Sequence, residues 1–336
     1  MADDFTQQVR QAAQAALRGQ RPDPEQAALW LEPQGLDQLA ALLEAGSLLR
    51  RAHQGDEVEF CAIVNARSGR CSEDCAFCAQ SAHYKTQAEV YPLLGAGEIV
   101  ARGRAAAAAG ARRFGIVTSG RGCAQGQALD DICRAVERLR QEGRVSPCAS
   151  LGLLAPEQAR RLADAGLVRY HHNLEAAPSF YPKICSTHSL EERVRTVRNA
   201  REAGLEICCG GIVGLGESLA QRVELAAAIA ALEPDSLPLN FLNPIPGTPL
   251  EHLPLLTPLQ ALAAVAVFRM FVPRAHLRTC GGRLQVLGRL SPLMYLAGSS
   301  ATMVGDYLTT QGRQASEDLE DLRALGLRPA AAVAAS

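Results

Sequence analysis

The chain has 336 residues, 48% of them hydrophobic, and its 34 basic and 35 acidic residues leave a net charge of -1 at pH 7. The charges are interspersed, which excludes the basic stripe of a nucleic-acid-binding protein, and no apolar run is long enough to span a bilayer. Eleven cysteines, with no apolar leader at the acidic start Met-Ala-Asp-Asp-Phe-Thr, point to metal chemistry in a reducing compartment rather than a disulfide framework, so a cytoplasmic location is expected.

Residues 1–52 read as an N-terminal helical extension, with the helical pattern starting near residue 5. Apolar or β-rich runs then follow at 58–65, 114–118, 145–151, 168–174, 206–213, 236–242, 276–279 and 301–305. Most are separated by Ala-, Leu- and Arg-rich segments of helical period, such as 97–109, 157–165, 190–203 and 258–271. Several of these end in glycine before the next run, at Gly110, Gly166 and Gly204. Strands alternating with helices predict an α/β fold, a (β/α)8 TIM-type barrel over 53–328. The stretch between Arg278 and Ala301 is the least regular part. The proline-rich segment 243–258 reads as a long loop over the top of the barrel, and the alanine-rich tail 329–336 as flexible.

The first run leads into Arg70-Cys-Ser-Glu-Asp-Cys-Ala-Phe-Cys-Ala-Gln-Ser81, where Cys71, Cys75 and Cys78 form a C-x3-C-x2-C run. Three thiolates so close can hold three corners of a cubic iron–sulfur cluster, and no fourth cysteine follows at ferredoxin spacing. The remaining iron is left for a ligand that is not protein. A zinc knuckle or redox pair is the bland alternative, with His83 the only local candidate for a fourth zinc ligand. The spacing resembles the signature of the radical S-adenosylmethionine (SAM) superfamily, in which the open iron of a 4Fe–4S cluster binds the amino and carboxylate groups of SAM. Barrel enzymes carry their active sites at the C-terminal ends of the strands, which is where this loop falls.

Polar residues also interrupt the runs themselves: Cys61, Cys148, Cys208, Cys209, Arg278 and Cys280. Barrel interiors are filled in layers drawn from alternate strands. The first, third, fifth and seventh strands can supply Cys61, Cys148, Cys208 and Arg278 to one layer. Buried charge needs a partner or a metal, and a second metal–sulfur cluster satisfies all four. Taken singly, Cys123, Cys133 and Cys209 read as small hydrophobes, and Cys185 stays open.

Beyond these features the chain, from about 57 to 327, resembles the biotin synthase family. The resemblance rests on Tyr170-His-His-Asn-Leu-Glu175, Cys208-Cys-Gly-Gly-Ile-Val-Gly-Leu-Gly-Glu217, Pro238-Leu-Asn-Phe-Leu242, Gly247-Thr-Pro249 and Arg278-Thr-Cys-Gly-Gly-Arg283. It implies a radical SAM sulfurtransferase, usually a homodimer, that inserts sulfur into dethiobiotin and draws electrons from a small flavodoxin- or ferredoxin-type protein. By the same resemblance Cys71, Cys75 and Cys78 hold the 4Fe–4S cluster. Phe77 packs by the adenine, Asn173 and Glu175 meet the SAM ribose, and Arg193 lies near the methionyl carboxylate. Asn240 stands by the substrate, while Cys148, Cys208 and Arg278 hold the auxiliary cluster that donates sulfur.

One position departs from the family pattern. Where the familiar form has a further auxiliary cysteine, this chain reads Arg113-Phe-Gly115, and glycine cannot ligate iron. Cys61 is the expected replacement, followed by Cys185 and Cys280, in a cluster of 2Fe–2S or larger type. Strand alternation sends His171 and His172 to opposite sides, with His171 read as near the substrate and His172 as structural. Gly210, Gly211, Gly214 and Gly216 do not match a dinucleotide fingerprint and read as a close backbone approach to SAM. Two rivals remain: another radical SAM enzyme of the hydrogenase-maturation or methylornithine-forming kind, and a noncatalytic iron–sulfur or zinc protein.

Overall fold

The computed structural model describes residues 2–331, so 332–336 of the expected flexible tail lie outside the described residues. The N-terminal segment forms three helices, α1 (Ala2–Leu17), α2 (Pro24–Trp30) and α3 (Leu36–Gln54). Their breaks are written locally. Gly19 turns at φ 81°, and the Asp23 side chain accepts from the Glu25 and Gln26 N–H groups at the start of α2, which has Pro24 in its first turn.

Parallel strands and helices then alternate: β1 (Glu57–Arg67), α4 (Ala96–Ala108), β2 (Arg113–Thr118), α5 (Gln127–Glu142), β3 (Ser146–Ser150), α6 (Pro156–Asp164), β4 (Arg169–His171), α7 (Leu190–Glu202), β5 (Glu206–Cys208), β6 (Gly211–Val213), α8 (Leu219–Ala231), β7 (Ser236–Phe241), α9 (Pro258–Phe271), β8 (His276–Thr279) and β9 (Ala301–Met303). Pairing runs in order from β1 round to β9, and β1 pairs with β9, so the sheet closes. This is the expected (β/α)8 barrel. A short β10 (Arg328–Pro329) adds to the edge of β1, placing residue 329 in the sheet. Between β8 and β9 the irregular stretch holds only short helical turns, Arg283–Leu287 and Leu293–Leu296 among them.

The stave expected over 206–213 is broken into β5 and β6. Gly210 sits at the break because a Cβ there would lie 1.9 Å from the Pro238 carbonyl oxygen, so only glycine lets the two strands come this close. Gly211 pairs across to Glu175. These glycines serve the closure of the barrel backbone.

Helix α9 is buried throughout Ala261–Phe271, since it lies under the N-terminal cap with α3 on its outer side. A helix hydrophobic all round is expected only where it is covered on every side. The loop after β7 crosses the top of the barrel, where Gly247 packs against the backbone of Lys85. Inside the barrel the inward positions alternate along each strand. They read Glu59-Cys61-Ile63 on β1, Arg113-Gly115-Val117 on β2, and Ser146-Cys148-Ser150 on β3, and the series continues round to Arg278 and Cys280.

Candidate active site

Strand β1 delivers the chain to the top of the barrel, where Gly69 (φ 74°) and Arg70 (φ 49°) turn it sharply. The loop is then stapled by buried Gln80. Its Oε1 accepts from Asn65 Nδ2 (3.2 Å), Ser68 Oγ (3.0 Å) and the Gly69 N–H (3.2 Å). Backbone bonds from Cys71 N to Gln80 O (3.0 Å) and from Ala82 N to Cys71 O (2.7 Å) close it. Cys71, Cys75 and Cys78 are free thiols on this loop, each partly exposed. His83 turns outward to the Ser72 carbonyl (3.0 Å), so it gives the loop no fourth ligand.

Beside the loop stand the residues expected at SAM. Arg193 Nη2 pairs with Glu175 Oε1 (3.2 Å), and Arg193 Nε donates to the Asn173 carbonyl (2.5 Å). Asn173 Nδ2 donates to Glu175 Oε2 (3.2 Å), while its Oδ1 accepts from the Gly210 N–H (3.0 Å). Glu175 holds φ 67°, a conformation costly for a non-glycine residue. Asn240 is fixed on β7 by accepting from the Gly281 N–H (2.9 Å) and donating to the Gly211 carbonyl (3.2 Å). Glu217 is committed elsewhere, accepting from Gly214 N and Arg222 Nε at 2.8 Å each.

Below these groups the lumen holds a cavity of about 320 Å³. Phe77, Asn173, Glu175, His171 and Asn240 line it together with Cys61, Cys148, Cys208, Arg278 and Cys280, and Tyr307 and Leu308 from the loop after β9 also reach it. His171 Nδ1 lies 3.2 Å from Cys208 Sγ, and Arg278 Nη1 lies 3.9 Å from the same sulfur. Burial acts to raise the Cys208 thiol, but His171 and Arg278 outweigh it and bring the group down to about 6. Cys148 and Cys280, where burial wins, are each pushed up to about 12. Among the described residues, buried Arg278 Nε has no partner. His172 points away from the cavity, with burial holding its imidazole well below the usual value.

Gly115 lines the same cavity, with Ile63 on one side and Cys148 on the other in the strand register. Of the three candidates to replace the missing thiol, Cys61 and Cys280 reach the cavity and Cys185 does not. Cys185 lies on the loop after β4, with its sulfur 3.7 Å from Cys75 Sγ and 2.7 Å from His188 Nδ1. A loop residue has no strand alternation to fix its facing, which is why the sequence left it open.

A tier of charge that sequence reasoning missed lies beneath the thiols. Glu59 receives Arg113 Nε (2.8 Å), Arg169 Nη1 (3.4 Å) and Arg278 Nη2 (3.4 Å). Burial acts to raise the Glu59 carboxyl, but the three guanidiniums outweigh it and hold it at about 2. The signal was available: Glu59, Arg113 and Arg169 sit two residues before, or directly beside, the lumen thiols in otherwise apolar strands.

Residues 66–229 match the radical SAM superfamily, and residues 238–328 match the Biotin and Thiamin Synthesis associated domain. A biotin synthase of Geobacter sulfurreducens is 50% identical, over 94% of this chain and 95% of that protein. One of Geotalea uraniireducens is 52% identical, over 82% of this chain and 84% of the relative. The chain belongs to the biotin synthase family. Among solved structures, methylornithine synthase superposes with TM-score 0.82 at 18% identity, covering 95% of this chain and 97% of that one. A maturase of the FeFe-hydrogenase from Carboxydothermus hydrogenoformans gives 0.76 at 16% identity, covering 98% and 85%. At such identities those two share the fold alone. Biotin synthase family membership therefore makes this chain a radical SAM sulfurtransferase, an enzyme that uses a 4Fe–4S cluster and SAM, and sets aside the hydrogenase-maturation and methylornithine readings. Among the described residues no helix is long and apolar enough to cross a membrane.

The residues present suit the groups a biotin synthase needs. The upper loop offers three free thiols. The lumen offers thiols around one cavity and an arginine whose buried Nε has no partner among the described residues; thiolates suit iron and the N–H suits a cluster sulfide, whereas apolar packing satisfies neither.

Proposed function

We propose the following division of labour for the conversion of dethiobiotin to biotin. Cys71, Cys75 and Cys78 hold the 4Fe–4S cluster. Glu175 and Asn173 receive the ribose hydroxyls of SAM, Arg193 faces its carboxylate, and Phe77 packs by the adenine. Asn240 and His171 flank dethiobiotin in the cavity beneath. Cys148, Cys208, Arg278 and the replacement ligand Cys61 hold the auxiliary cluster. Bound in this way, the first cluster with SAM supplies a 5′-deoxyadenosyl radical able to take hydrogen from an unactivated C–H bond, and the second supplies sulfur.

The chain's own part is to orient and to exclude water. Asn240 is locked by two backbone bonds, so its amide presents fixed donors and acceptors. His171 and Arg278 lower the Cys208 thiol and so favour its ionised form. The Glu59 tier closes the floor of the lumen with paired charges. Domain roles follow as part of the proposal: 1–52 is a helical extension and 53–328 the catalytic barrel, served by a flavodoxin- or ferredoxin-type donor in the cytoplasm and acting as a homodimer.

The observation that carries this reading is the opening of Cys148 and Cys208 into one cavity directly under Asn173, Glu175 and Asn240. Anaerobically reconstituted protein given SAM, dethiobiotin and a reductant should form biotin. Deoxyadenosine without biotin would overturn the sulfur-insertion role, and neither product would overturn the radical role as well. The replacement ligand is tested separately by iron and sulfide counts with Mössbauer spectra. Cys61→Ser should remove or alter the auxiliary cluster. If it leaves that cluster intact and Cys280→Ser removes it, the fourth ligand is Cys280.

A further inference from the structure

The loop after β9 closes on itself. At its neck the Gly305 N–H donates to the Arg313 carbonyl (3.0 Å), and a Cβ on Gly312 would lie 1.9 Å from the Gly305 carbonyl oxygen, so its two ends meet there. At its tip the Tyr307 N–H donates to the Thr310 carbonyl (2.9 Å), and Tyr307, Leu308, Thr309 and Thr310 form one wall of the lumen cavity. Compact loops with joined ends frequently carry function. Tyr307 and Leu308 also line an outer cleft of about 730 Å³. The tip is therefore a partition between the lumen and that cleft, with space behind it.

Among the described residues, two hydrogen bonds join this tip to the barrel. Tyr307 Oη donates to the Cys280 carbonyl (2.9 Å), and Asn65 Nδ2, near the top of β1, donates to the Leu308 carbonyl (3.1 Å). The same Nδ2 donates to Gln80 Oε1 (3.2 Å), the oxygen that staples the cysteine loop. The partners fix how both amides face. The Gly69 N–H only donates, so Gln80 must turn its oxygen inward. The Leu308 carbonyl only accepts, so Asn65 must turn its amide nitrogen toward both partners. Asn65 Oδ1 is left buried with no partner among the described residues. What asparagine supplies here is two N–H donors on one nitrogen, where serine has one donor and an ionised aspartate none.

We infer that Asn65 is a positioning residue that pins the tip of loop 305–313 over the substrate cavity and ties it to the cysteine loop. The inference rests on the reading that dethiobiotin occupies this cavity. A segment held by few bonds opens at low cost, and a closed wall keeps the reacting groups from water. Loss of one pin lowers the population of the closed form. Binding must then make up the difference, so the effect falls on the affinity for dethiobiotin rather than on the chemical step.

The test compares the full, anaerobically reconstituted chain with Asn65→Ala, Asn65→Asp and Tyr307→Phe. Asn65→Ala should raise the KM for dethiobiotin about three- to tenfold, as expected for one lost hydrogen bond, with kcat and iron content close to those of the unmodified chain. Hydrogen exchange read by mass spectrometry should be faster over 305–313 and unchanged over 71–82. Asn65→Asp, which turns a carboxylate toward two acceptors, should exceed the alanine effect, and Tyr307→Phe should match it through the other pin. An alanine variant with unchanged KM, or with unchanged exchange over 305–313, would overturn the inference. So would loss of the outer cluster's iron from that variant, since Asn65 would then serve the cysteine loop alone. If dethiobiotin does not slow exchange over 305–313 in the unmodified chain, its placement in this cavity falls instead, and exchange in the alanine variant still decides the pin.

Discussion

Replacing Cys208 by serine should abolish biotin formation while leaving SAM cleavage in place. Cys208 is the lumen thiol best prepared to bind iron, because His171 at 3.2 Å and Arg278 at 3.9 Å bring it down to about 6 against the effect of burial. It gives up its proton to a metal more readily than Cys148 and Cys280, which burial pushes up to about 12. A serine hydroxyl in this site does not ionise at neutral pH, and it leaves a buried arginine without its sulfur partner. Loss of partners outside the ligand sphere already costs 10–100-fold in a metal site, so loss of this ligand should cut biotin formation at least about a hundredfold. Iron and sulfide per chain should fall to the content of one cluster, and deoxyadenosine formation should stay within a few-fold of the unmodified enzyme. A variant that retains both clusters and makes biotin normally would remove Cys208 from the auxiliary site. Loss of both products together would place its role in folding instead.

The largest stability effect is expected at Glu59. Its carboxylate is 3% exposed and faces Arg113, Arg169 and Arg278. Glu59→Gln leaves buried Arg278 beside a neutral amide and Arg113 and Arg169 with Glu206 as their remaining carboxylate, and breaking a buried ionic group in this way costs about 3–5 kcal/mol. The sign of the pH dependence follows from the folded carboxyl lying at about 2 rather than its ordinary 4.5. Its contribution is fully present above 4.5 and disappears as pH falls from there to about 2. At 1.36 kcal/mol per unit that window is worth about 3 kcal/mol. Urea unfolding of the metal-free proteins under anaerobic conditions measures both. The gap between the two chains should be full at pH 7 and shrink through the acid window. A gap below about 1 kcal/mol at pH 7 would show that the tier is not a stabilising unit.

The loop Cys71–Cys78 is legible because its chemistry is local: three thiols within eight residues have few other uses, and the strand before them ends where barrel active sites lie. The lumen set Cys61, Cys148, Cys208 and Arg278 was legible for a different reason. In a strand, facing alternates residue by residue, and a polar side chain on an inward position of an apolar strand stands out. The same reasoning, carried two residues down each strand, reaches Glu59, Arg113 and Arg169. It failed there because a charged residue at a strand's start is ordinarily solvated, and only closure of the sheet buries these three. Cys185 was left open, and the 206–213 stave was expected unbroken, for lack of any local signal. One sits on a loop, and the other is broken by an approach to Pro238 from a distant strand.

Taken by itself, the amino-acid order determined the strands and helices, the outer cysteine loop and the inward facing of the lumen thiols, since each depends on side-chain type and on periods set by neighbouring residues. Tertiary structure alone decided which candidates share a space. Cys280 joins Cys61 around one cavity, Cys185 stands against Cys75, and Glu59 gathers three arginines. Those distances come from strand stagger, barrel closure and loop packing among residues up to 219 positions apart, and no local pattern encodes register between strands that meet only when the barrel shuts.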